Sequence, residues 1–132
     1  MYHRDIPEER AVKLTTDDLG PLGEIQGVLG AGIYTGEGET LVSWTREKLD
    51  FVAVGANAAE LYRQAKQVAG ALQIGLPTFI ELHTDQSKIY CHYCVFPGEL
   101  GLGVLADHGV NIGMLRFTMK KVTDQLKSSR ER

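Results

Sequence analysis

The most reactive side chains of this sequence lie close together between Cys91 and Cys94, in a segment that also contains His92. Paired thiols can form a redox-active disulfide, and thiols together with imidazoles can bind zinc. In a strand, however, residues three positions apart point to opposite faces, and their α-carbons lie about 10 Å apart, beyond disulfide reach. We therefore interpret Cys91 and Cys94 as structural cysteines and predict neither a metal site nor a cofactor.

A zinc site would also need His83, which could face His92 across a hairpin and join Cys94. The strand register decides this arrangement, and the sequence leaves it open. Zinc requires three or four converging ligands, and the other histidines, His3 and His108, lie in distant segments. We favour two solvated or hydrogen-bonded histidines, and a thiol or zinc enzyme is the weakest of three hypotheses for function.

Other motifs that could carry chemistry have simpler interpretations. Gly27, Gly30 and Gly32 resemble a phosphate-binding loop, but they lead into a strand, whereas such a loop follows a strand and opens a helix. Asn111 is expected to cap a helix, and Arg116 is expected to form an ion pair at the surface or with a partner. No serine, histidine and acid set and no carboxylate pair stands out, so we predict a protein that is not an enzyme, with no catalytic residues.

Composition restricts the class of protein. The 132 residues, 43% of them hydrophobic, fit one domain with one core. The net charge is −3, and the basic residues are spread out except for Lys120, Lys121 and a tail around Lys127, Arg130 and Arg132, so we predict no nucleic-acid binding. No apolar run is long enough to span a membrane, and the charged first ten residues do not resemble a secretion signal, which predicts a cytoplasmic protein.

The elements that position these residues follow from periodicity and turn signals. A first helix begins near Thr16 and is short because Gly20, Pro21 and Gly23 weaken it. A long helix begins after Asp50. Strands are predicted at 28–35, 40–44, 78–84, 88–96 and 100–106, and a last helix follows Asn111. Steps of three and four place one set of apolar residues on a single stripe of the long helix, namely Phe51, Val54, Ala58, Leu61, Ala65, Val68 and Leu72.

The order helix, two strands, helix, three strands, helix favours an antiparallel sheet of five strands, because most links between strands are short. The apolar first and last strands favour helices on both faces, so we predict an α+β fold with three α/β/α layers. Gly101 and Gly103 share one face of the last strand, where we expect a helix to pack closely. The predicted organisation is a flexible N-terminal extension at 1–15, a domain at 16–127 and a charged tail at 128–132.

Four segments taken together resemble the Roadblock/dynein light chain family: Ile25 to Ala31, Gly36 to Glu39, the alanine-rich long helix, and Asn111 to Arg116. The resemblance covers about Leu19 to Leu126. It implies a profilin-like fold in which the long helix covers one face of the sheet and the terminal helices cover the other. It also implies a homodimer formed through the edge strand after the long helix, and action with Ras-like small GTPases, as in gliding-motility polarity systems.

The residue types support such a dimer. Small residues on the long helix, such as Gly55 and Ala59, would let a second backbone approach. The strand at 78–84 would be a hydrophobic edge with Glu81 as its only internal charge, and exposed edges of this kind pair with other strands. The predicted dimer interface contains Gly55, Ala59, Tyr62, Phe79, Ile80, Glu81 and Leu82.

The favoured hypothesis is therefore a homodimeric protein-interaction scaffold or regulator of a Ras-like small GTPase. Its partners would be a second copy of the chain and the GTPase. The alternative is a small-molecule sensor with a pocket between the sheet and its helices.

Overall fold

A computed structural model of the chain describes residues 14–46 and 48–130, without the side chain of Arg130. Five strands form one antiparallel sheet in the order β2-β1-β5-β4-β3. The strands are β1 (Val28–Thr35), β2 (Thr40–Thr45), β3 (Phe79–His83), β4 (Ile89–Phe96) and β5 (Leu100–Ala106). The helices are α1 (Gly20–Gly23), which continues a 3₁₀ turn at Thr16–Leu19, α2 (Phe51–Leu72) and α3 (Ile112–Arg130). The predicted element order and α+β fold are confirmed.

Each helical segment begins at a capping side chain, as predicted. The Thr15 hydroxyl accepts a hydrogen bond from the Asp17 N–H, and the Thr15 N–H donates to the Asp18 carboxylate at 2.8 Å. Asp50 accepts from the Ala53 N–H at 3.0 Å, and Asn111 accepts from the Met114 N–H at 3.0 Å. These bonds satisfy N–H groups that have no partner within the first turn of a helix.

The main core lies between one face of the sheet, which we call the α3 face, and the helices α1 and α3. Ile33 and Leu102 are paired neighbours on β1 and β5, and both are fully buried there. Leu115 and Met119 cover them from α3, and Leu22 does so from α1. A smaller core on the opposite face, the α2 face, contains Tyr34, Phe51 and Ala58.

The expectation that a helix packs against Gly101 and Gly103 is wrong. A side chain at Gly101 would meet the ring of His92, and one at Gly103 would meet the hydroxyl of Tyr90. Aromatic rings from the neighbouring strands therefore fill the space above these glycines. The close helix contact lies elsewhere, at Gly55 of α2, where an added Cβ would be 2.6 Å from the carbonyl oxygen of Gly38.

The predicted stripe on α2 is only partly buried. Phe51 and Ala58 are buried, but Val68 is 60% exposed and Leu72 is 61% exposed. The helix contacts β1 and the turn after it through Phe51, Gly55 and Ala56 in its first two turns, whereas Val68 and Leu72 lie near its C-terminal end. This end of the stripe is therefore open to solvent within a single subunit.

The boundaries differ slightly from the expected ones. Residues 1–13 of the predicted extension lie outside the described residues, whereas Leu14 packs against the main core and Thr15 caps the first turn. Helix α3 continues to Arg130, so residues 128–130 of the predicted tail are helical. None of the helices in the described part of the chain is long and apolar enough to cross a membrane.

Candidate interaction surface

Strand β3 forms one edge of the sheet, as predicted, and pairs only with β4 among the described strands. The Cys94 N–H donates to the Thr78 carbonyl and the Thr84 N–H donates to the Lys88 carbonyl, which places Thr78 and Thr84 in hydrogen-bonded pairs. Such pairs alternate along an antiparallel ladder. The N–H and C=O groups of Phe79, Glu81 and His83 therefore point away from β4, toward the open side of the edge.

The side chains of β3 divide between the two faces of the sheet. Phe79 lies on the α3 face, where its ring centroid is 5.3 Å from that of Tyr93. Ile80 and Leu82 lie on the α2 face, and Leu82 is 49% exposed. Both sides of this edge therefore present apolar surface.

A cleft separates β3 from α2, and we call it the α2–β3 cleft. One part, about 390 Å³, lies between Leu61 of α2 and Leu82 of β3. A second part, about 450 Å³, is lined by Ala65 and Val68 of α2 and by Ile80 of β3. The large apolar side chains exposed in or near this cleft are Val68, Leu72, Ile74, Leu76 and Leu82.

Glu81 is the charged residue of the edge strand, and it is paired within the subunit. The Arg116 guanidinium donates two hydrogen bonds to its carboxylate, at 2.5 and 2.9 Å. The His83 Nε2 lies 3.1 Å from the same carboxylate. Arg116 is the main reason why the pKa of Glu81 falls to about 2, because its bonds favour the ionised form. The predicted surface ion pair of Arg116 is thus found on β3.

The other predicted interface residues lie on α2. Gly55 is buried against Gly38 and Thr40 of its own subunit, so its small size serves a contact inside the subunit. Ala59 and Tyr62 are half-buried and line a cavity of about 20 Å³, room for about one water molecule. This cavity under the middle of α2 is too small for a ligand, and the larger spaces beside α2 are those of the open α2–β3 cleft.

The cysteines and histidines do not converge. Cys91 is buried on the α3 face, while His92 and Cys94 are buried on the α2 face. The register pairs His92 with Ile80, and His83 pairs with Ile89, so the two histidines do not face each other. Among residues 14–46 and 48–130, no group of three metal-binding side chains is close enough to hold an ion.

Burial explains the protonation of these groups. It raises the pKa of the Cys91 thiol to about 12 and that of the Cys94 thiol to about 11, which keeps both protonated. It lowers the pKa of His92 to about 4, so this imidazole is neutral at physiological pH. The Tyr90 hydroxyl lies 3.2 Å from the His92 Nδ1. These properties fit structural residues and provide no activated nucleophile.

The sequence reasoning missed the buried Tyr34. Its side chain is 1% exposed, and burial, together with the neighbouring Tyr90 hydroxyl, raises its pKa. The ring lies over Gly32 and Gly103, which leave space for it. The run of glycines on β1 and β5 was the signal that could have indicated a bulky ring from a neighbouring strand.

Comparison with solved structures defines the class of fold. A Roadblock/LC7 domain from Streptomyces avermitilis aligns with a TM-score of 0.77 at 15% identity, over 86% of this chain and 94% of that domain. The gliding protein MglB from Thermus thermophilus aligns with a TM-score of 0.76 at 16% identity, over 99% and 94% of the two chains. The chain has the Roadblock/LC7 fold, which confirms the fold implied by the sequence resemblance.

Sequence comparison identifies the nearer relatives. No family model matches the chain. MJ0714 of Methanocaldococcus jannaschii, an uncharacterised protein, is 31% identical over 111 residues, which cover 81% of this chain and 88% of that protein. The chain belongs to the protein family of MJ0714.

Proposed function

We propose that the protein is a homodimeric scaffold or regulator that binds a Ras-like small GTPase in the cytoplasm and catalyses no reaction of its own. The observation that carries this proposal is the open edge of β3 beside the apolar α2–β3 cleft. An edge of this kind is a template for another strand, and exposed apolar patches mark protein interfaces.

A second copy would complete the edge. Antiparallel pairing of β3 with its copy would use the outward N–H and C=O groups of Phe79, Glu81 and His83. The exposed Val68 and Leu72 of α2 would then pack against the same helix of the other subunit, beside Ile80 and Leu82 of each edge strand. Such an interface is isologous, as most homodimer interfaces are.

The charge on the edge strand is compatible with this pairing. Identical carboxylates that meet across a two-fold axis repel each other. Each Glu81 is already bound by Arg116 of its own subunit, whose positive charge offsets that of the ionised carboxylate. The predicted interface therefore keeps Ala59, Tyr62, Phe79, Ile80, Glu81 and Leu82 as candidates, with Gly55 acting from inside the subunit.

The GTPase part of the proposal draws on the fold and the sequence resemblance. Proteins described as gliding protein MglB share this fold, and the resemblance to the Roadblock family implies partners of the Ras-like class. The described residues offer structural cysteines and a neutral buried histidine in place of a catalytic group. We infer that the protein acts by holding the switch segments of the GTPase in one conformation.

The dimer is tested by removing one outward hydrogen-bond donor. His83→Pro deletes an N–H on the open edge and leaves the ladder to β4 intact. Light scattering at about tens of micromolar should give twice the 14.5 kDa chain mass for the unmodified protein and a lower mass for the variant. His83→Ala is the matched control, because it also loses the contact with Glu81 but keeps the N–H. A monomer mass for the unmodified protein would refute the dimer.

The partner is tested by titration with a purified Ras-like GTPase from the same organism, loaded with GDP or with a non-hydrolysable GTP analogue. We expect a complex in one nucleotide state and weaker binding in the other, since a regulator must bind the two states differently. The dimer-deficient variant shows whether the complex needs both subunits. No complex in either state would refute the regulatory role while leaving the dimer untouched.

A further inference from the structure

Helix α3 differs in charge from the rest of the chain. It contains five basic residues and one acidic residue, a net charge of +4, whereas the whole chain has a net charge of −3. The residues outside α3 therefore carry −7 together. The described basic side chains of α3 belong to Arg116, Lys120, Lys121 and Lys127. A positive helix on a negative molecule orients that helix toward an anionic surface.

The outward side of the same helix also exposes large apolar side chains. Met114 is 52% exposed and Phe117 is 65% exposed, on the first two turns of α3. The Lys121 Nζ lies 5.7 Å from the centroid of the Phe117 ring. Both apolar side chains border an open groove of about 310 Å³, whose other wall contains Pro21 of α1.

The core does not account for these side chains. The buried side of α3 is formed by other residues, namely Leu115, Met119, Val122 and Leu126. The β3 edge does not account for them either, because the groove lies between α3 and α1. We call Met114, Phe117 and Lys121 the outer face of α3; Lys127 lies on its flank, about 120° round the helix from Lys121.

We propose that the outer face of α3 docks on an anionic lipid bilayer. Arg116 is paired with Glu81 and Lys120 with Asp124, so Lys121 and Lys127 are the cations assigned to lipid headgroups. Phe117 and Met114 would enter the boundary between headgroups and acyl chains. Basic residues beside exposed aromatic and aliphatic side chains on a helix are typical of proteins that lie on membrane surfaces.

The arrangement fits a bilayer better than a single acidic partner segment. The two assigned cations, Lys121 and Lys127, lie about 9 Å apart along the helix axis, at a rise of about 1.5 Å per residue. Charge spread over that length matches a surface that is anionic everywhere. The apolar side chains also project outward, as insertion into lipid requires.

The proposed dimer would strengthen this docking, and this one point rests on the proposed function. Antiparallel pairing of two β3 edges places the two-fold axis perpendicular to the sheet, so both α3 helices lie on the same side of the dimer. Two outer faces would then meet one bilayer together, and linked binding of this kind exceeds the affinity of either face alone.

Vesicle co-sedimentation tests the proposal with the full chain. We expect binding to vesicles in which about a third of the lipid is phosphatidylserine, none to pure phosphatidylcholine vesicles, and loss of binding at high salt. Each basic residue near an anionic surface contributes about 1 kcal/mol, so Lys121→Gln should weaken binding about fivefold. Lys66→Gln makes the same charge change on α2 and should leave binding unchanged. Phe117→Ser should also weaken binding.

The outcomes are separable. Failure of the unmodified protein to bind anionic vesicles, or equal losses for Lys121→Gln and Lys66→Gln, would overturn the proposal. The melting temperature of each variant shows that it is folded, and no variant touches the buried side of α3. The dimer-deficient His83→Pro variant should bind vesicles more weakly than the unmodified protein but in the same lipid-dependent way. A failure of the GTPase titration leaves this result unaffected.

Discussion

The neutral, buried His92 makes a quantitative prediction about acid stability. The folded protein binds a proton at this imidazole only below a pKa of about 4, whereas an exposed histidine in the unfolded chain binds one near pH 6.5. The unfolded state therefore takes up the proton first as the pH falls. The free energy of unfolding decreases between these two pH values as a result. The full difference of about 2.5 pKa units corresponds to about 3.4 kcal/mol, and about 2.5 kcal/mol of it is lost between about pH 7.5 and about pH 4.5.

Urea unfolding measures this loss when it is done on the protein and on His92→Gln at both pH values. Glutamine cannot titrate and can still form a hydrogen bond with the Tyr90 hydroxyl. Between the two pH values, the free energy of unfolding should therefore decrease by about 2.5 kcal/mol less in the variant than in the unmodified protein. The difference between the two proteins removes the contribution of carboxylates, which titrate in both. Parallel pH profiles for the two proteins would refute the assignment of His92 as a neutral core residue.

Two further predictions concern contacts within the subunit. Arg116→Gln should lower the free energy of unfolding near neutral pH by less than the His92 effect, because Arg116 is 51% exposed. Because the pKa of Glu81 is lowered in the folded state, this loss of stability should be present above the unfolded pKa of about 4.5 and should vanish as the pH falls toward about 2. Unfolding at a series of pH values measures this dependence. A loss of stability that persists in acid would contradict it. Gly55→Ala should destabilise the protein by about 2 kcal/mol, because its Cβ would meet the Gly38 backbone and the Thr40 hydroxyl. Gly70→Ala, in the same helix with open space around it, should stabilise by up to about 1 kcal/mol, and equal denaturation midpoints for the two variants would show that the close contact is unimportant.

Local features of the fold could be predicted from the sequence because short-range chemistry decides them. The caps at Thr15, Asp50 and Asn111 depend on a side chain and an N–H two or three residues away. The bounds of β1 and β5 follow from unbroken apolar runs between turn residues. The opposite orientation of Cys91 and Cys94 follows from the two-residue period of a strand.

The candidate site depends on contacts between segments that are distant in the sequence, and only some of these contacts could be predicted from the sequence. Alternation along β3 predicts that the side chain of Glu81 lies on the other face of the sheet from those of Ile80 and Leu82. Only the packing of α3 on that face brings Arg116 to the Glu81 carboxylate. Periodicity places Val68 and Leu72 on the stripe of α2, but the position of that helix over β1 and β2 leaves them exposed.

The sequence by itself determined which segments are helices and strands, where they begin, and which of their faces are apolar, since these properties arise from neighbouring residues. The tertiary structure decided the strand order, the aromatic rings above Gly101 and Gly103, the separation of His83 from His92, and the open apolar cleft beside β3. The physical reason is that a repeating apolar pattern indicates which face of an element is buried but does not determine which other element covers that face. The contact partner follows from how the layers stack.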